Sequence, residues 1–298
     1  MSVITINNLQ NFSPTITAQR ALNTLQGDIT MLPFVRKEYS SDIGNYGDNI
    51  NVGKYGQLSS NSTAPGEDVT LQNPNATSVS ISLDQYEETT VAIDDKASAI
   101  SRPNPLQGYM EEAMMAQIDK MESFLFSVAQ GFSKTIGDSE SDVDLPRINE
   151  ARKILADNFA PRNNRGLFLD TNSYSNLLAS NNLGFAQNYG NNQAISDGRV
   201  PRVYGFNAFE SNYVPIADGA VDSIAMHQEA LAMVARPLPN SGDGAVLEQF
   251  TVSRDGFPSL RVTIDYNSTK RALQLTVDSL YGASILRDEL GLIVQSQV

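Results

Sequence analysis

The 298-residue chain contains no cysteine, no tryptophan and a single histidine, and no apolar run approaches the ~20 residues of a membrane-spanning helix. Without cysteine there are no disulfides and no thiolate metal sites, a usage that fits a reducing compartment. The lone His227 sits in an Ala/Met-rich stretch with no identifiable partners for triad or metal chemistry. Basic residues are scarce, 21 Lys and Arg against 34 Asp and Glu, for a net charge of −13. Such a surface repels phosphates, which excludes conventional DNA binding. The opening MSVITINNLQNF has neither a basic n-region nor an apolar h-region, so it does not read as a signal peptide. GxSxG, P-loop, GxGxxG and HExxH motifs are all missing.

The acidic residues do not fill the gap. Glu87–Glu88 and Asp94–Asp95 are adjacent on a predicted strand, so within each pair the side chains point to opposite faces and cannot converge as a glycosidase pair. Asp138, Glu140, Asp142 and Asp144 alternate as in a calcium loop, but Val143 stands where an EF-hand requires glycine, and a solvated loop is the better reading. No active site, cofactor site or metal site is read, and the chain is not expected to be an enzyme.

What is present is extended structure around one long helix. A hydrophobic fraction of 41% supplies a core for one large domain or two intimately joined ones. Leu106, Met110, Ala113, Met114, Met121, Phe124, Leu125, Val128 and Phe132 follow helical spacing, which predicts a helix over about 104–132, capped by Asn104 and Pro105. It would run roughly 40 Å. Upstream, a short helix is expected over 14–25 with Ser13 as cap, followed by ITMLPFV, an arm that packs onto something. Val79, Ile81, Leu83, Thr89, Val91 and Ile93 share one parity, predicting one strand of roughly 50 Å that pairs with Asn49–Gly53 as a protruding hairpin. An isolated hairpin is marginal in water, so it makes sense lying on a neighbouring subunit. The alternative is a disordered surface loop.

Downstream, Asp144 caps a helix over 145–159 with Ile148, Ile154, Leu155 and Phe159 on one side. RGLFLDT reads as a buried strand, SYSNLLAS as a short helix, 181–199 as a loop and 202–214 as strand and turn. Residues 220–239 read as strand with a short helical turn near His227–Ala230. Leu260, Val262, Ile264 and Tyr266, then Leu273, Leu275 and Val277, alternate about a turn at Asn267–Arg271 and predict a long antiparallel hairpin. Tyr46, Lys54 and Tyr55 in the first hairpin have few basic neighbours, so they read as interface contacts rather than nucleic-acid stackers.

GDNINVGKYG, LDQYEETTVAIDD, AMMAQIDKMES, VYGFNAFESNYVP, MHQEALAMVARPLP and TVDSLYGASILRDEL resemble, in order, blocks of tailed-phage major capsid proteins, most closely the P22 coat-like branch of the HK97-fold superfamily. The resemblance runs from about residue 14 to 290. It implies an α+β, HK97-like capsid fold. Residues 1–43 resemble the N-terminal arm and 44–87 the E-loop hairpin. Residues 88–140 and 236–298 resemble the P-domain with its spine helix, and 141–235 the A-domain. The helix's Met/Phe stripe would then face the P-domain sheet.

The implied function is a major capsid protein that self-assembles into the icosahedral shell of a phage virion, built in the host cytoplasm. Implied partners are further copies of the chain in hexamers and pentamers, a portal protein, a separate scaffolding protein, a cement or decoration protein, and enclosed double-stranded DNA without sequence-specific binding; no membrane is involved. The E-loop begins too early for an HK97-type scaffolding region to precede it, and there is no room for the extra domain of the P22 coat. Inter-subunit contact candidates are Tyr46, Lys54, Tyr55, Glu67 and Asp68 in the hairpin, Asn188 and Tyr189 in the A-domain loop, and Lys270 and Arg271 in the late turn. Lys54 is the only lysine in the hairpin arm that an HK97-type cross-link could use. The alternatives are an encapsulin-like compartment of the same fold and a monomeric β-rich enzyme or glycan-binding protein.

Overall fold

The computed structural model of the chain describes residues 29–37, 49–54, 58–73, 76–96, 106–179, 200, 202–241, 246–253 and 258–298. The helix expected over 14–25, the Asn104–Pro105 cap and the loop 181–199 lie outside the described residues.

The long helix α1 spans Leu106–Ala129. Its buried positions, Met110, Ala113, Met114, Gln117, Ile118, Met121, Glu122, Leu125, Phe126 and Ala129, form a stripe that drifts around the helix as it advances. The drift matters because α1 packs between two sheets rather than against one. Phe124 meets Tyr281 edge-on at 5.5 Å in the first sheet, and Phe126, two residues and about 200° further round, meets Phe168 at 6.1 Å in the second. The expectation that the stripe faces a single sheet is therefore too narrow.

The first sheet has the order β10 (Glu248–Val252), β11 (Leu260–Asn267), β12 (Ala272–Ile285), β3 (Gln85–Asp94), all antiparallel, with β9 (Leu231–Arg236) continuing the β11 edge along β12. The expected late hairpin is present: Val262 faces Val277 and Ile264 faces Leu275 across β11 and β12, all four buried. Gln117 of α1 ties helix to sheet, donating to Thr89 Oγ1 at 2.9 Å and accepting from Ser279 Oγ at 2.8 Å.

The second sheet has the order β4 (Thr135–Gly137), β13 (Gly291–Gln297), β8 (Ala220–His227), β5 (Arg165–Leu169), β6 (Phe206–Glu210), with the two-residue β7 (Ile216–Ala217) on β8. Every residue of β5 and β8 is buried, as a strand covered on both faces requires. Helix α2 (Leu145–Asp157) packs on β13 and β4, and α3 (Thr171–Ala179) on β6. Asp144 caps α2 as expected, its side chain accepting from Arg147 N at 2.9 Å. The terminal strand β13 is not among the sequence expectations; it joins β4, β5, β6 and β8 in this sheet.

Three local expectations are corrected. The single strand over 79–93 is two strands, β2 (Thr77–Ser82) and β3, broken at Leu83–Asp84 and belonging to different sheets. The chain crosses over Gly282 at the break, where a Cβ would meet Ser82 O at 1.8 Å. The turn near His227–Ala230 is not helical but a tight turn, Ala230 N donating to His227 O at 2.9 Å, that carries the chain from β8 in one sheet to β9 in the other. Phe159 does not join the buried side of α2: the helix ends at Asp157, and Phe159 sits in the left-handed region (φ 57°) with 89% of its surface exposed.

Candidate functional site

Two features project structure or charge outward: the first hairpin and a pair of loops beside its anchor. β1 (Asn49–Lys54) pairs antiparallel with β2 in an independent two-stranded sheet, in register from Asn49↔Ser82 to Lys54↔Thr77. One face of this ribbon is apolar. Ile81 is fully buried with Ala232 and Val234 of β9 and with Leu286, and Ile50, Val52, Val79 and Leu83 pack on that cluster. The base of the hairpin is thus covered by its own chain, which removes the need for a neighbour at that point. An ion pair at 2.7 Å between Lys54 Nζ and Glu289 Oε1 adds a polar anchor. Burial opposes ionisation of Glu289, but the Lys54 ammonium and nearby Arg287 outweigh it and hold the carboxyl below its ordinary value.

Beyond Lys54 the loop is different. Residues 58–73 are all exposed. Ala64-Pro65-Gly66-Glu67 closes as a turn, Glu67 N donating to Ala64 O at 3.1 Å, with Gly66 at φ 93° as a type II turn demands. The Gln72 side chain accepts from Ser59 N at 2.9 Å and so holds the two arms of the loop together. Leu58, Val69 and Leu71 are 64%, 76% and 91% exposed. Glu67, the last residue of the turn, and Asp68 directly precede Val69 and Leu71.

The second feature joins residues 158–164, after α2, to residues 202–205, before β6. Arg202 Nη2 donates to Arg162 O at 3.3 Å, and Arg202 Nε to Gly205 O at 3.1 Å. Phe159, Asn164 and Tyr204 all adopt positive φ. Phe159 and Tyr204 are exposed, as are Arg162 and Arg202. Beneath them Arg165 is buried, donating from Nε to Pro161 O and from Nη2 to Ala160 O, both at 2.7 Å. Burial first, then the neighbouring Arg152 and Arg162 charges, lower its pKa, which marks a local concentration of guanidinium groups on an acidic chain.

The expected ITMLPFV arm packs on its own chain. Met31, Leu32 and Val35 are buried, and Phe34 meets Phe168 at 5.4 Å and Phe209 at 6.1 Å. The Glu122 carboxylate of α1 accepts from Thr30 N and Oγ1 (2.9 Å each), Met31 N (2.6 Å) and Leu32 N (2.8 Å). Arg36 then bridges to β9, its N donating to Leu231 O and its O accepting from Met233 N.

The sequence candidates scatter over the fold. Lys54 is at the hairpin anchor, and Glu67 and Asp68 are in the exposed loop. Lys270 and Arg271 form the turn between β11 and β12, where Lys270 N donates to Asn267 Oδ1 at 3.1 Å and Arg271 adopts φ 50°. That turn lies at the Asp94 end of β3, while the hairpin leaves from its Gln85 end, roughly 30 Å away along ten residues of strand. Tyr46, Tyr55, Asn188 and Tyr189 lie outside the described residues. Among the described residues no group of three or more His, Asp or Glu is placed to hold a metal, and no helix is long and apolar enough to cross a membrane. Glu122 and the Arg162/Arg202 loops were not anticipated. A charged residue inside an apolar stripe signals the first; nothing local in the sequence signals the second.

No family model matches the chain, and no curated protein matches it. Solved structures do. A chain of Mycobacterium phage Che8 superposes with a TM-score of 0.69 at 16% identity, over 90% of this chain and 91% of that one. A chain of the cyanophage P-SCSP1u capsid gives 0.65 at 15% identity, covering 88% and 85%. A chain of the native GTA particle capsid gives 0.61 at 10% identity, covering 95% and 91%. The fold is that of phage capsid chains. Within this capsid fold the two sheets, the helix between them and the hairpin form one framework, and the matches extend over nearly all of it.

Proposed function

We propose that this chain is a major capsid protein, a structural subunit that self-assembles into the icosahedral shell of a phage virion around double-stranded DNA. The observation that carries the reading is a capsid fold spanning nearly the whole chain, combined with a fully exposed loop, 58–73, held out on an anchored β-ribbon. A loop of that length with three exposed large apolar side chains is costly in a free monomer and is accounted for by burial against other copies. Residues 44–87 are assigned to the E-loop of an HK97-like subunit and 1–43 to its N-terminal arm. Residues 88–140 and 236–298 are assigned to the P-domain, with α1 as spine, and 141–235 to the A-domain.

Assembly into hexamers and pentamers uses several patches at once, and the contact candidates separated along β3 fit different neighbours. Tyr46, Lys54, Tyr55, Glu67 and Asp68 act from the hairpin, Asn188 and Tyr189 near the capsomer centre, and Lys270 and Arg271 between capsomers. A portal, a separate scaffolding protein and a cement protein are the expected heterologous partners. Subunit stability then depends on concentration through mass action. Negative-stain microscopy of the purified chain tests the reading, with closed shells expected. Removing residues 57–76 should abolish shells while leaving the subunit folded; normal particles from that variant would refute the hairpin's role.

A further inference from the structure

The exposed loop and the arginine loops are complementary in charge and in apolar content. Residues 58–73 contain two carboxylates, Glu67 and Asp68, and no basic residue, and they expose Val69 and Leu71 beside them. The joined loops 158–164 and 202–205 present Arg162 and Arg202 with the exposed rings of Phe159 and Tyr204. Among the described residues neither arginine is ion-paired with a carboxylate, and Glu229 and Glu289 are already paired, with Arg36 at 3.5 Å and with Lys54 at 2.7 Å; Asp157, exposed just before the loop, is not placed against either arginine. Exposed aromatics and arginines are the residue types enriched where protein surfaces bind. Holding Phe159 and Tyr204 at positive φ while exposing both rings opposes local stability and is accounted for by a docked partner.

We propose that the Glu67–Asp68 loop of one copy docks on the Phe159/Arg162/Arg202/Tyr204 surface of a second copy. Glu67 and Asp68 pair with the two guanidinium groups, and Val69 and Leu71 cover the two rings. The inference deepens the capsid reading and rests on it for the identity of the partner as a second copy. Nucleic acid is disfavoured as occupant because the chain as a whole carries a charge of −13.

A photo-cross-linking residue in place of Val69 tests the contact in the full chain, mixed in equal parts with heavy-isotope-labelled protein. The expected result is a cross-link between differently labelled chains, mapping by mass spectrometry to 158–164 or 202–205. The paired change R162E/R202E should reduce that cross-link by roughly tenfold or more, as like charges face each other, and adding E67R/D68R should restore it. Circular dichroism melts check that each variant folds. Phe159→Ser, at an exposed position, provides a second disruption that leaves both arginines in place, and it too should weaken the cross-link. Cross-links only within one chain, or to other regions, would overturn the proposal, as would loss in R162E/R202E without rescue. So would an unchanged cross-link in R162E/R202E accompanied by lost binding of a double-stranded DNA probe. Shells without the cross-link would refute the docking and leave the capsid reading intact; the cross-link without shells would do the reverse.

Discussion

The Glu122 carboxylate accepts a 2.6 Å hydrogen bond from the backbone N–H of Met31, ninety-one residues earlier in the chain. Three further bonds from Thr30 and Leu32 complete its coordination, and among the described residues no basic side chain pairs with it. A buried carboxylate is tolerated when backbone donors replace its water. Here those donors belong to the segment that closes the core beside Phe168.

Glu122→Ala should therefore destabilise the subunit by about 3 kcal/mol, since it orphans several buried N–H groups at once. Glu122→Gln should cost less, because the Oε1 contacts to Thr30 and Met31 can be kept while an amide N–H faces the Leu32 N–H. Urea unfolding of the three proteins checks the order. Equal stability of wild type and Glu122→Ala would refute the clamp.

Gly282→Ala should be far more damaging than its size suggests. The added methyl would stand 1.8 Å from Ser82 O, at the point where the chain leaves the hairpin for β3. Backbone on both sides leaves nothing flexible to yield, so a loss of at least about 2 kcal/mol is expected, within the range of overpacked sites. Hydrogen exchange should show faster exchange in β2 than in β11. Uniform protection across both strands would contradict this account.

Much of the framework was legible because local patterns and tertiary contacts agree. The alternation in β11 and β12 survives as the buried ladder Val262–Val277 and Ile264–Leu275, and Asp144 caps α2 where expected. Legibility fails where a distant residue decides. Parity runs unbroken from Val79 to Ile93, yet Gly282, some two hundred positions later, fixes the break at Leu83. Helical spacing puts Phe159 one turn after Leu155, but α2 stops first and the ring turns out to solvent. Glu122 stands out in the sequence only as a charge inside an apolar stripe; its partner, the Thr30–Leu32 backbone, is set by tertiary packing that no local pattern encodes. The Arg162 and Arg202 surface depends on two loops forty residues apart meeting at a carbonyl, which no spacing encodes.

Lys54→Met should loosen the hairpin without unfolding the subunit. Both partners of the Lys54–Glu289 pair remain partly exposed, 37% and 41%, so its contribution stays below about 1 kcal/mol. Glu289 is ionised more easily in the folded chain than when unfolded. The pair's contribution is thus fully present above the ordinary glutamate value of about 4.3 and is lost as the pH falls through the lower folded value. Hydrogen exchange of β1 and β2 at pH 7 and pH 3.5 should converge between wild type and Lys54→Met at the lower pH. A difference that does not shrink as the pH is lowered would exclude the ion pair as its cause.

His227 should give the fold a second, higher pH dependence. It is buried at the end of β8, and its Nδ1 accepts from Glu229 N at 3.2 Å, which requires that nitrogen unprotonated. Burial lowers its pKa; Arg165 and Arg287 push the same way, while Glu229 and the Asn163 backbone push back without prevailing. The unfolded chain therefore binds a proton at a pH where the folded chain refuses it. Stability is full above the ordinary histidine value of about 6.5 and declines as the pH falls toward the lower folded value. Because there is one histidine in the chain, His227→Gln should flatten the urea midpoint between pH 7.5 and pH 5.5 while leaving the decline below pH 4.5, which belongs to carboxylates. An unchanged slope in that variant would mean that His227 protonates equally well in both states, and the buried acceptor geometry at Nδ1 would then be wrong.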